Sequence, residues 1–448
     1  SLQTILSGTS FVSDQNQVMP EFTLFVKKHP LDDQLRVCHQ KSSLGCSEDD
    51  NWHLLFDAQG NRLNEPQNQD LRQVTVRVKD GHWRVSKLPQ GGAIQSETSG
   101  KPLEYTLENL RLFGKSQNDQ IVDITRDPDG NLYLLMTTDS PSLTTQEAFQ
   151  AELAGGTDLY LAKWGENGEE LIYATYLGGS GTEMGQRLIV DENKNAYVLA
   201  TTNSEDFPTK KAFQETFGGE TDMTITKLST RGNELIFSTY IGAAGDDQAR
   251  DLMLDEEKSL TIVGKTNSSE DLPFRFGTQE SYSGGASDGY LIRLNSAGTG
   301  LIYGSYFGGS GDDDIQALWS SKEEFYLLGN TSSTDFPGLA ENRLTARKQD
   351  LWLMHLNIKE KALNPLQVRL FGGSDDDEAT SLARDNEGHL WISGNTRSPD
   401  LPVRQGYQAE LRGTQDSFMA QFDESLKPLM STYWGGSGEE SSLGLMMD

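Results

Sequence analysis

Cysteine is scarce: Cys38 and Cys46 are the only two in 448 residues. Their spacing fits neither a CxxC redox motif nor a zinc knuckle. They read either as a disulfide closing a short N-terminal loop of an exported chain, or as two buried thiols. Long apolar runs are missing too, and none approaches the roughly 18 residues needed to span a bilayer. No membrane span is therefore expected. Basic residues are few, with 38 Lys and Arg against 67 Asp and Glu and a formal charge of −29. Such a chain repels phosphates, which excludes charge-driven binding of nucleic acid. The acidity suits solubility, a salty medium or cation binding.

Recognisable catalytic patterns are also lacking. The histidines, at 29, 39, 53, 82, 355 and 389, stand at no HExxH-type spacing. There is no GxSxG elbow and no P-loop lysine motif. The expectation from these absences is a chain that is not an enzyme. Paired carboxylates abound, so a glycosidase pattern stays open while any single pair is uninformative. The chain starts at Ser1 rather than methionine, as expected after removal of a leader or trimming.

Glycine, by contrast, is plentiful at 45 residues, and much of it recurs in one motif. FGGSGDDD begins at Phe307 and FGGSDDD at Phe371. Looser copies are LGGSGTE from Leu177, IGAAGDD from Ile241 and WGGSGEE from Trp434. With Leu112 as the first leading residue, successive separations are 65, 64, 66, 64 and 63 residues. A fixed period decides the architecture before any local reading. Inside each unit a short run and a polar turn (RLIVDENKN, DLMLDEEKS, SLARDNEGH) precede a β-branched and aromatic run such as AYVLATT or LTIVGKT. A loop with EDFP, EDLP, TDFP or PDLP follows. An aspartate then opens a third run (DLYLAKW, DMTITKL, DGYLIRL, DLWLMHL, DSFMAQF), and a fourth leads into the next glycine motif.

Four short strands per radial unit predict an all-β fold, a β-propeller of four-stranded blades. The units are 112–176, 177–240, 241–306, 307–370 and 371–433, with a closing strand at 434–448. That last strand needs partners, and EFTLFVKK, LRVCHQ and WHLLFDA near the N-terminus are expected to supply them. Residues 72–113, with a hairpin around Asp80-Gly81, read as one more degenerate blade. Seven blades are thus expected, with residues 21–111 completing the ring; six, with residues 1–70 as a separate cap, is the alternative. Residues 1–20 form an N-terminal extension that is expected to be flexible or to add as a strand to a neighbouring subunit.

These residues resemble the SBBP repeat family, whose name denotes a seven-bladed β-propeller. STYIGAAGDD at 238–247, TNSEDFP at 202–208 and NTSSTDFP at 330–337 carry the likeness, which extends over 112–448. The resemblance implies an exported or cell-surface bacterial protein and supplies no catalytic residues to carry over.

In a propeller the glycine motif joins one blade's outermost strand to the next blade's innermost strand. The acids Asp119, Glu183, Asp247, Asp313, Asp377 and Glu440 then fall near the channel mouth, one per unit. Two readings compete. Together with carbonyls the six could form a cation rim suited to Ca²⁺, or each could cap its own turn by accepting N–H bonds. The aspartates opening strand three (Asp158, Asp222, Asp288, Asp350, Asp416) read as structural. The apolar residue of each DFP or DLP loop is expected to tuck between blades. The expected function is an exported, extracellular or cell-surface module that binds protein or glycan, or copies of itself, with the periplasm as an alternative location. A polysaccharide hydrolase or lyase using the acidic mouth, and a calcium-stabilised spacer, are the rivals.

Overall fold

The computed structural model describes Gly114 and residues 117–448 apart from 167, 271, 273, 340–347, 360, 361, 443 and 446–448. It also describes the backbone of five strands between residues 21 and 85. Two compact units result, Ser1–Ser116 and Gln117–Asp448. No helix occurs among the described residues.

The first unit holds β1 (Glu21–Lys28), β2 (Leu35–His39), β3 (His53–Leu54), β4 (Arg72–Lys79) and β5 (His82–Val85). They make one antiparallel sheet in the order β3-β2-β1-β4-β5. Lys79 pairs with His82, as the expected hairpin between β4 and β5 requires. The other edge of β4 pairs with β1, Phe22 opposite Val76. The strands assigned to a closing blade and the hairpin assigned to a further blade thus share one sheet. An unpaired strand edge takes the nearest partner, and β1 provides it. Cys38 lies in β2, but its side chain and Cys46 fall outside the described residues, as does the 1–20 extension.

The second unit is built from five four-stranded antiparallel sheets. The first blade comprises β6 (Asp119–Arg126), β7 (Leu132–Thr138), β8 (Asp158–Trp164) and β9 (Leu171–Leu177). The second comprises β10 (Glu183–Val190), β11 (Ala196–Thr202), β12 (Asp222–Leu228) and β13 (Leu235–Ile241). The third has β14 (Asp247–Leu254), β15 (Leu260–Thr266), β16 (Asp288–Leu294) and β17 (Leu301–Phe307). The fourth has β18 (Ala317–Ser320), β19 (Glu324–Thr331), β20 (Asp350–Lys359) and β21 (Ala362–Phe371). The fifth has β22 (Asp377–Arg384), β23 (Leu390–Thr396), β24 (Asp416–Phe422) and β25 (Pro428–Trp434). Within each blade the strands pair in sequence order. The first strands of successive blades lie against one another, which makes them innermost. This is a β-propeller architecture.

Strand alternation explains the packing. In DLYLAKW, Leu159 and Leu161 point toward the second blade and join Tyr133, Leu135, Tyr173, Leu188, Val198 and Ala200 in one buried cluster. The second blade sends Tyr197, Leu199, Met223 and Ile225 the other way, against the third. Each buried Leu or Ile contributes about 2 kcal/mol. Gly232, at φ +69°, sits on the Tyr173 ring of the preceding blade, where any Cβ would overlap the ring. That strand-three-to-four turn therefore needs glycine twice over, for its backbone angle and for its contact.

Beyond β25, Ser442 N donates to Asn395 Oδ1 at 2.7 Å and Leu445 N to Ser381 Oγ at 3.0 Å. These repeat the bonds from Ala379 N to Asn330 Oδ1 and from Leu318 N to Asp251 Oδ2 in earlier blades. The tail therefore occupies the place of the next innermost strand. The expected pairing of that strand with N-terminal strands, and with it the count of six or seven blades, falls outside the described residues.

Candidate functional site

Each blade has two polar ends, and in most blades their acids are buried. At the glycine-turn end, the acid opening the innermost strand gathers donors from three sources. Asp247 accepts Ala243 N at 2.7 Å, Thr266 Oγ1 at 2.5 Å and Ser268 Oγ at 3.0 Å. Glu183 accepts Gly179 N, Thr202 Oγ1 and Ser204 Oγ in the same way. Asp313 takes Gly309 N and Ser333 Oγ, and Asp377 takes Gly373 N and Ser398 Oγ. Glu440 accepts Gly436 N at 3.0 Å, and Asp119 accepts Thr138 Oγ1 and Ser140 Oγ. The six acids named from the sequence thus each accept hydrogen bonds from their own turn, from the adjoining end of strand two, or from both. Among the described residues no group of three or more His, Cys, Asp or Glu is placed to hold a metal ion.

The Thr and Ser donors form a T-x-S pair at the end of each second strand, and sequence reasoning passed over them. The Ser carbonyl accepts the buried Tyr hydroxyl of strand four at 2.7 Å in the pairs Tyr176–Ser140, Tyr240–Ser204, Tyr306–Ser268 and Tyr433–Ser398. The same hydroxyls accept Phe207 N and Leu401 N, which anchors the DFP and DLP loops. Phe207, Phe336 and Leu401 are buried between blades as expected. Asp206, Asp335 and Asp400 turn back to accept the amide and hydroxyl of Ser180, Ser310 and Ser374, and those amide bonds hold their carboxyls below the usual range.

The aspartates opening strand three lie beside these acids. Asp222 Oδ2 accepts Gly218 N and Gln214 Nε2, and Asp158 Oδ2 accepts Ala154 N and Gln150 Nε2. Asp288 Oδ2 accepts Ser283 N at 2.6 Å. Both acids of a junction converge on the first glycine of the next motif. A Cβ on Gly435 would stand 2.5 Å from Asp416 Oδ1 and 2.7 Å from Glu440 Oε2. The double glycine is therefore the space that two carboxyls require. Burial, with the neighbouring carboxylate adding to it, pushes Asp222, Asp288 and Asp350 up to about 7. Burial also pushes Asp313 up to about 6.

The opposite end, where strands one and two meet, follows another chemistry. Asp127 sits 3.0 Å from Lys163 Nζ, with both side chains almost wholly buried and the ammonium 4.8 Å from the Tyr133 ring centre. Asp191, Lys227 and Tyr197 repeat the set, with an ion pair of 3.2 Å. In the third blade Arg293 pairs with Asp255 and bonds Tyr303 Oη. Burial opposes ionisation of Asp127 and Asp191. Bonds from Asn131 and Lys163, and from Asn195 and Lys227, outweigh it and lower both. In the fourth and fifth blades His355 and Gln421 stand where the lysine does. His355 stacks on Tyr326, while Asp385 accepts Trp391 Nε1 and lies 3.3 Å from His389 Nδ1. The two described histidine side chains thus serve separate blades.

A cleft of about 410 Å³ lies between the third and fourth blades, lined by Gln279, Phe307, Phe336, Met354 and Leu366 among others. None of its lining residues titrates near neutral pH, so it carries no acid–base chemistry of its own.

Residues 172–208, from β9 through the Glu183 turn to Pro208, match the SBBP family model, described as a beta-propeller repeat. The chain carries an SBBP repeat. That SBBP stretch contains Glu183, Thr202, Ser204 and Asp206, the whole bonding set of one turn. No curated protein sequence matches the chain. Among solved structures, a protein of unknown function from Dyadobacter fermentans is similar at 12% identity, TM-score 0.35, covering 86% of this chain and 89% of that one. A thermostable family-43 glycoside hydrolase is similar at 10% identity, TM-score 0.33, covering 71% and 94%. A gluconolactonase from Xanthomonas campestris is similar at 13% identity, TM-score 0.31, covering 72% and 91%. The expectation that this chain is not an enzyme needs correction. The propeller fold is shared by enzymes and non-enzymes, so missing motifs do not make this chain non-catalytic. At these identities neither enzyme passes its activity to this one.

Among the described residues no helix is long and apolar enough to cross a membrane.

Proposed function

We propose that this β-propeller is exported and works at the cell surface or outside the cell as a binding or assembly module for a protein or glycan. One observation on the fifth blade supports this most. The residue leading each glycine motif is buried at Leu177, Ile241, Phe307 and Phe371, but Trp434 is 59% exposed. Tyr407, at 87% exposure, lies beside it with ring centres 5.9 Å apart. Exposed paired aromatics give a large contact area at small entropic cost, and both sugar faces and apolar peptide side chains stack on them.

The test is binding of the full chain to a glycan array and to proteins captured from a bacterial surface extract. Tyr407→Ala with Trp434→Ala is expected to lower affinity for the bound partner at least about tenfold, as loss of a hot-spot pair does. Binding unchanged in the double variant would overturn the reading. Turnover of any bound polysaccharide is measured in parallel, because binding and cleavage share surfaces.

A further inference from the structure

The junctions between blades bury two carboxyls side by side. Asp222 and Asp288 are fully buried, and so are their partners Asp247 and, to within 2%, Asp313. The two members differ in their donors. Asp247 is surrounded by an amide and by Thr and Ser hydroxyls, three donors that suit an ionised carboxylate, and Asp313 and Asp377 each receive an amide and a Ser hydroxyl on Oδ2. The aspartate opening strand three receives its donors on Oδ2 in Asp222 and Asp288. Oδ1 of Asp222, Asp288 and Asp350 has no hydrogen-bond partner, and neither has Oδ1 of Asp313 or Asp377 across the same junctions. A buried oxygen with no donor is costly if charged and satisfied if it carries hydrogen, because it can then donate to the carboxylate beside it.

We propose that each of these junctions is locked by one proton, carried on the strand-three aspartate and shared with the acid heading the next blade. The device recurs at Asp222 with Asp247, Asp288 with Asp313, and Asp350 with Asp377. The surroundings fit. Asp222 faces Asp247 and Tyr240; Asp288 faces Asp313, Tyr282 and Tyr306; Asp350 faces Asp377, Asp376 and Asp400. Among the described ion pairs none involves any of the six lock carboxyls. A metal ion fits less well than a proton. Asp288 Oδ1 and Asp313 Oδ2 both face the space over Gly308, as Asp350 Oδ1 and Asp377 Oδ2 do over Gly372, and among the described residues no third acid, His or Cys joins them to hold an ion. Two like carboxyls in one dry site keep one proton between them, as acid dyads do.

The sign follows from the raised carboxyls. Their ordinary value is 3.8 and burial lifts them to about 7. Stability from the lock is complete below the ordinary value and is lost as pH rises through neutrality. The propeller is therefore tightest in mildly acidic medium.

The experiment measures Tm of the full chain from about pH 5 to about pH 8. It compares the wild type with the triple variant Asp222→Asn, Asp288→Asn, Asp350→Asn. Asparagine keeps the shape and places a permanent donor where the proton sits. The wild-type Tm should fall by several degrees across the range, and the variant should lose most of that slope. Infrared spectra of the wild type, which need no variant to fold, should show buried protonated carboxyl groups at pH 6 that fade by pH 8. A wild-type Tm flat with pH, a variant with undiminished slope, or no protonated-carboxyl band would each overturn the proposal. So would a Tm raised by Ca²⁺ at constant ionic strength and lowered again by chelator, which would put an ion where the proton is placed.

Discussion

The two ends of a blade solve the same problem in opposite ways. Each buries aspartate, but one end supplies a cation and the other supplies a second acid. Asp127 and Asp191 keep their charge because bonds from Asn131 and Asn195, joined by Lys163 and Lys227 beside a tyrosine ring, outweigh burial. Asp222 and Asp288 have no such partner, and burial, with the charge of the neighbouring acid added to it, drives them toward the neutral form. The lesson is that a repeated aspartate in a propeller does not have one meaning. Its strand position decides whether it is half of an ion pair, a turn cap or a proton carrier.

The widest gap between the ends should appear when a partner is removed. Lys163→Met leaves Asp127 charged and buried without its cation, and should cost about 3–5 kcal/mol in urea unfolding. Asp247→Ala strands an amide and two hydroxyls at the acidic end, for an expected loss of about 1–3 kcal/mol. If the second change costs more than the first, the acidic end is the stronger clamp and the comparison reverses. The ends should also titrate apart. Asp127 and Asp191 are lowered below 3.8, so their contribution is present above that value and fades as pH falls through the lowered one. Acid unfolding of Lys163→Met should therefore begin at higher pH than in the wild type. The smallest effect belongs to the surface. Lys194 reaches back to Asp129, Lys258 to Glu192 and Lys322 to Glu257, forming a chain of ion pairs between successive blades. Replacing Lys194 by Ala should leave the urea midpoint within error, and only a salt titration should reveal it.

Much of this was readable before any coordinates. The 64-residue period, four strands per unit and the burial of the DFP phenylalanine all follow from local pattern, and local pattern is what a sequence displays. Turn capping by Glu183 and Asp247 was one of two open readings, because chain-local rules describe it equally well as a rim. The lysine clusters were legible and missed. DLYLAKW, DMTITKL and DGYLIRL place a cation at one strand position, and the turns RDPDG, VDENK and LDEEK each offer an aspartate. Only the tyrosine between them, one strand away, shows that they meet. The acid pairs left no local trace. Asp222 and Asp247 are 25 residues apart on different blades, and a buried oxygen without a donor is visible only in three dimensions. The joining of the N-terminal strands into one sheet was not legible for the same reason, since pairing of β1 with β4 spans some fifty residues of non-repetitive chain.

The bonds that cross from blade to blade also keep a fixed stride. Gly185 to Thr137 and Ala249 to Thr201 each span 48 residues, Ala379 to Asn330 spans 49, and Ser442 to Asn395 spans 47. A chain wired this way tolerates duplication or deletion of one entire module, since every seam finds its usual mate. It does not tolerate a change of half a module, which would bring unlike halves together at two seams. The seam bonds thus constrain the spacing inside a module more tightly than they constrain the number of modules.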